Sequence, residues 1–180
     1  MSELGLWTLG LGVVLLIVHT TAVVMPAVFC RQLSGVSRNR PAGYVLALAV
    51  LLWSAWLVYN MPLGGMEHLR KYLFIVTPAV IAGVFFFMDE LLAPRALGGL
   101  LLLYPAPVLV LARLHSSPWS LLMSVVCYIM VMKGILLVLN PWYFRQAAEI
   151  ITASDSRCRA FGIAGMLFAL LLCGLALFIY

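Results

Sequence analysis

Apolar runs long enough to cross a lipid bilayer follow one another along nearly the whole of this chain, and no other feature constrains its fold so strongly. A membrane-spanning helix needs roughly 20 predominantly apolar residues at about 1.5 Å rise each. About six blocks meet or approach that length: Leu6 to Phe29, Ala42 to Tyr59, Tyr72 to Met88, Ala96 to Ala112, Trp119 to Leu139 and Ala160 to Tyr180. In lipid every backbone polar group must be paired within its own segment, so such blocks form helices. The expectation is an all-α polytopic membrane protein forming one integral membrane domain over residues 1–180. Only 9% of the residues are charged, against about 25% in soluble domains. Nothing is left over for a soluble domain beside the spans.

Six spans place both termini on one side and sort the basic residues into two groups. The links after the first, third and fifth blocks, with the residues flanking them, hold Arg31, Arg38, Arg40, Arg95, Arg145, Arg157 and Arg159. The links after the second and fourth hold Arg70, Lys71 and Arg113. The positive-inside bias puts the first group in the cytoplasm and both termini outside it. Trp53, Trp56 and Tyr59 then suit an aromatic belt at the outer interface. The net charge of +5 is accounted for by topology and lipid headgroups, so no nucleic-acid partner is expected. The start, Met1-Ser2-Glu3-Leu4, lacks the basic region of a cleavable signal.

The four cysteines, Cys30, Cys127, Cys158 and Cys173, follow no metal or disulfide spacing. The link from Pro141 to Arg159 is the longest. In it Trp142-Tyr143-Phe144 can anchor at the interface, and Ala147, Ala148, Ile150 and Ile151 can continue as a short interfacial helix. Ser154 and Asp155 suit the start of the sixth helix. An internal echo runs through the chain: Pro26 then Arg31-Gln32, and Pro141 then Arg145-Gln146. Each pair follows one span and leads to another, the pattern of a parallel repeat of helical hairpins.

Few side chains in the spans carry chemistry. Lys133, in Val131-Met132-Lys133-Gly134, is costly at bilayer depth unless it snorkels or finds a partner. As a functional group it would bind an anion or relay protons, with Asp89 or Glu90 opposite it. His19 lies within the first block, where it reads as a packing histidine bonded to a threonine or a carbonyl. Cofactor ligation would need a second histidine at matching depth, and His68 and His115 fall in links. Asp89 and Glu90 read as a solvated helix end, since adjacent positions point about 100° apart. Glu67-His68 has no HExxH spacing after it. Tyr104-Pro105-Ala106-Pro107 and Thr77-Pro78 read as kinks, or as broken helices of the kind that line transporter sites.

Small residues recur at helical spacing in the sixth block: Gly162, Gly165, Ala169, Cys173 and Ala176. They read as a close-packing face, toward another span or toward a partner. From Lys133 to Tyr180 the chain resembles a small two-helix inner-membrane family of bacteria whose function is unknown. The likeness rests on Lys133-Gly134, Pro141, Arg145, Arg157, Arg159 and the glycine-bearing helix from Phe161. It covers about a quarter of the chain, and that family carries an acidic residue where Lys133 stands. The resemblance implies a bacterial inner membrane and no particular activity. The expected function is a non-enzymatic structural, accessory or assembly subunit, without cofactor or metal, that meets other membrane subunits or a second copy of itself. The alternative is a small transporter or channel for an anionic solute or protons, built on Lys133 and the proline-broken helices.

Overall fold

The computed structural model describes residues 2–36, 39–62, 64–65, 67–87 and 92–180, and these are helical almost throughout, with no strand among them. The chain is an all-α polytopic protein with six helical segments long and apolar enough to span a membrane. The first, α1 (Glu3–Val24), starts at Ser2, whose hydroxyl accepts the Gly5 N–H at 3.0 Å. It stops five residues short of the expected end at Phe29. Met25 leaves helical geometry at φ −129°, ψ 64°, as a residue before proline tends to. Pro26 then opens a second, separate helix, α2 (Pro26–Val36), in the first-turn position where its missing N–H costs nothing.

The chain returns through α3 (Arg40–Asn60), capped by Asn39, whose side chain accepts the Ala42 N–H at 3.2 Å. A single 3₁₀ turn (Glu67–Leu69) leads into α4 (Arg70–Phe87). The fourth span is made of α5 (Leu92–Leu103) and α6 (Pro105–Leu114). Between them Tyr104 keeps helical dihedrals, φ −57° and ψ −44°, and donates its N–H to Leu100 at 3.1 Å. The paired prolines therefore mark a joint within one span. Then come α7 (Ser120–Leu139), α8 (Trp142–Thr152) and α9 (Asp155–Phe178). The short helix expected in the long link is α8. The Ser154 hydroxyl accepts the Arg157 N–H at 3.3 Å, and Asp155 lies in the first turn of α9.

The echo around the two prolines is a recurrence of local structure. In α1–α2–α3 and again in α7–α8–α9, a span ends at a proline, an 11-residue helix follows, and a span returns. The two short helices touch each other. Both chain ends meet on the opposite face, where the Ser2 N–H donates to the Tyr180 carbonyl at 3.2 Å. The Tyr180 hydroxyl donates to the Trp119 carbonyl at 2.6 Å. Burial pushes this phenol up from its ordinary pKa, which keeps the donor proton in place.

Packing is unevenly shared. The longest interface joins α1 to α9, and α5 lies between α3 and α7. Leu4, Val108, Ala112, Met123, Cys127 and Leu172 form one buried cluster, uniting α1, α6, α7 and α9. Of the three aromatics expected in an outer belt, Trp53 is half-buried. Its ring stacks on Trp7 at 6.4 Å, with 2° between the planes, while Trp56 and Tyr59 stay exposed. Trp7 also meets Tyr104 edge-on at 5.7 Å, and the Tyr104 hydroxyl donates to the Trp7 carbonyl at 2.7 Å.

Candidate functional site

The small-residue face of α9 lies against α1. A Cβ built on Gly162 would meet Val23 at 2.8 Å and Ala22 at 3.1 Å, and one built on Gly12 would meet the Cys173 sulfur at 2.7 Å. The Ala169 carbonyl lies 3.3 Å from that same Gly12 position, and the Ala176 carbonyl 3.2 Å from the corresponding position at Gly5. The seam thus runs nearly the length of both helices, with small side chains admitting backbone to backbone.

His19 sits in this seam. Its Nδ1 donates to the Leu15 carbonyl at 2.7 Å, one turn back on α1. Its ring fills the space that a side chain on Gly165 would take, and its centroid lies 5.1 Å from that of Phe161. Gly165 is therefore a socket for the imidazole. No group of three His, Cys, Asp or Glu side chains gathers as a metal would need among the described residues.

Lys133 stands apart from both. It is exposed on α7, six residues before the helix ends at Leu139, with the exposed side chains of Ile129 and Leu136 on the same face. That distance is about 9 Å along the axis, within reach of a snorkelling lysine. Lys133 lines none of the described cavities. Asp89 and Glu90, its candidate partners, lie outside the described residues.

A different feature sets one helix off from the rest. No residue of α4 is buried, although its length and hydropathy make it a span. It leans on α3 at two places. Near one end the Arg70 guanidinium lies over the Tyr59 ring at 5.7 Å and donates to the Met61 carbonyl at 3.1 Å. Near the other, Phe85 meets Tyr44 edge-on at 5.0 Å. Between these anchors the two helices part, leaving a cavity of about 400 Å³ beside Trp56, Phe74 and Pro78. Thr77-Pro78 does not break α4, which is helical on both sides of it.

The side of α4 turned away from α3 has a definite relief. Ile75, Ala79, Ala82 and Phe86 follow at intervals of four, three and four, which place them on one face. Ile75 is 70% exposed and Phe86 83%. Ala79 and Ala82 form a notch between them, widened by Gly83, where an added Cβ would meet nothing within 4 Å. Gly10 and Gly174 are also open, but they sit on α1 and α9, which already bury a face against each other. The stripe on α9 stands out in the sequence, whereas the only signal of this one is the run Ala79 to Gly83 inside an otherwise bulky helix.

Comparison with known proteins finds no matching family model, no matching curated relative and no matching solved structure.

Proposed function

We propose that this chain is a non-enzymatic subunit of a membrane-embedded assembly, an accessory or structural component, and that α4 is the helix through which it meets its neighbour. The observation that carries the reading is a spanning helix with no buried residue and an uncovered notch of small residues on its outward face. Lipid tails are as apolar as leucine, so membrane helices associate through close backbone approach at small residues rather than through hydrophobicity. Elsewhere in the chain the close approaches are filled from within, as at Gly12, Gly98, Gly134 and Gly165. The partner that suits the α4 notch is a transmembrane helix with a protruding side chain. The transporter alternative draws no support from Lys133, which faces outward from the bundle.

The test is photocrosslinking in native membranes from a reactive amino acid placed at Ala82, with Ile17 as the lipid-facing control. A discrete protein adduct is expected from position 82 and only lipid adducts from position 17. Lipid adducts alone at both positions would leave the docking role of α4 without basis.

We further propose that the face holding both chain ends lies outside the cytoplasm, in a bacterial inner membrane. Arg31, Arg40, Arg95, Arg145, Arg157 and Arg159 lie on α2, α8 and the nearby ends of α3, α5 and α9, toward the other face, as the positive-inside bias requires. The bacterial setting rests on the likeness of the Lys133–Tyr180 hairpin to inner-membrane proteins. In intact cells producing an otherwise cysteine-free chain, an impermeant maleimide should label a cysteine placed at Ser116 and spare one at Ser156. The reverse pattern would invert the topology.

A further inference from the structure

A cleft of about 610 Å³ opens between α6 and α7 on the face where the chain ends meet. Its lining changes character with depth. Arg113, in the last turn of α6, and His115 and Ser120, beside the start of α7, stand at the mouth. Leu109 and Val110 lie one turn deeper on α6, and Tyr128 lies eight residues beyond Ser120 on α7. Eight residues of helix are about 12 Å, so the cleft runs from the headgroup level into the hydrocarbon. A polar mouth above an apolar slot is the outline of a phospholipid.

The charges at the mouth choose among phospholipids. The Arg113 guanidinium makes no hydrogen bond or ion pair with any other described residue, and no carboxylate lines the cleft. Nδ1 of His115 accepts the Ser117 N–H at 3.2 Å, which leaves the ring proton of the neutral imidazole on Nε2 as a second donor. Arginine holds a phosphate oxygen pair through parallel N–H bonds. A zwitterionic headgroup would bring an ammonium that finds no carboxylate among the lining side chains and meets a like charge at Arg113. The first amides of α7 play no part, because those of Ser120, Leu121 and Leu122 already donate to Ser117, Pro118 and Trp119.

We propose that the α6–α7 cleft is a binding site for one anionic phospholipid, its phosphate on Arg113 and one acyl chain along Leu109 and Val110. The site is independent of α4 and of any partner docked there.

Native mass spectrometry of the full chain released from mixed vesicles tests it, with phosphatidylglycerol and phosphatidylcholine of identical chains as probes. The wild type should retain one phosphatidylglycerol about tenfold more readily than phosphatidylcholine, because both offer Arg113 a phosphate but the choline ammonium sets a like charge beside the guanidinium. Arg113→Gln should bring the two to parity with an unchanged melting temperature, and Arg113→Lys should keep part of the preference. Val110→Trp should lower retention of both lipids by filling the slot. Arg70→Gln, at the other basic link, should leave the preference intact. Millimolar inorganic phosphate should displace nothing, and displacement by it would mean a soluble anion rather than a lipid. No preference in the wild type, or equal loss from Arg70→Gln and Arg113→Gln, would overturn the proposal.

Discussion

Replacing either Gly98 or Gly134 with alanine is expected to be the most damaging single-methyl change in the chain, at about 2–3 kcal/mol each. These two glycines hold α5 and α7 together by mutual approach. A Cβ on Gly98 would lie 2.9 Å from the Gly134 carbonyl oxygen, and a Cβ on Gly134 would lie 2.9 Å from the Gly98 carbonyl oxygen. Neither oxygen can rotate aside, so the whole helix must shift. Alanine's better helix propensity works in the other direction by about 1 kcal/mol, and the backbone clash outweighs it. Gly83→Ala is the internal control. With nothing within 4 Å, it should unfold at or above the wild-type temperature. Thermal unfolding of the three variants in one detergent reads the order directly. A Gly98→Ala variant as stable as Gly83→Ala would mean that α5 and α7 do not approach so closely.

The second large effect is a destabilisation that can be relieved. Gly165→Ala should cost about 2 kcal/mol, because the new methyl displaces the His19 ring from its place between Leu15 and Phe161. Here the obstacle is a side chain, so a second substitution can remove it. His19→Ala alone should cost less, since it leaves a space but no clash. Combined with Gly165→Ala it should recover much of the loss, with coupling of the sign and size seen for residues in contact. Strict additivity of the two changes would show that Gly165 does not serve as the socket. A matched pair at Gly98 and Gly134 should show no such rescue.

These two sites show how far the sequence could be read. The spans were legible from hydropathy, because lipid leaves the backbone no other conformation. The cap at Ser154 and the short helix α8 were legible from local residue chemistry. Pro26 marks the end of α1, yet the apolar block runs past it to Phe29. An apolar stretch after a proline looks the same whether it continues the span or turns away. The stripe on α9 was read as a packing face, but its partner, α1, was beyond reach, since hydropathy carries no information about which helix meets which. Gly98 sits in a leucine run with no periodic signal of its own. Gly134 drew notice only as the neighbour of Lys133, yet the glycine is buried in the crossing and the lysine faces outward. In the sequence Arg113 is only a topology marker, because a charge in a link says nothing of the cleft beside it. Asp89 and Glu90 lie outside the described residues.

The pairing of α1 with α9 also sets a schedule for biogenesis. About 130 residues separate Val24 from Asp155, and at ribosomal rates of about 5–20 residues per second their synthesis takes roughly 7–26 seconds. Through that interval α1 is already made while its mate is not. It waits with a glycine-lined flank and an imidazole tethered to the Leu15 carbonyl on its own helix. In lipid its backbone stays paired within the helix meanwhile, but its packing face stays open to other nascent helices until the ninth arrives. A fusion that delays or detaches α9 should therefore strand α1, leaving it to quality-control proteases even though every residue of α1 is intact.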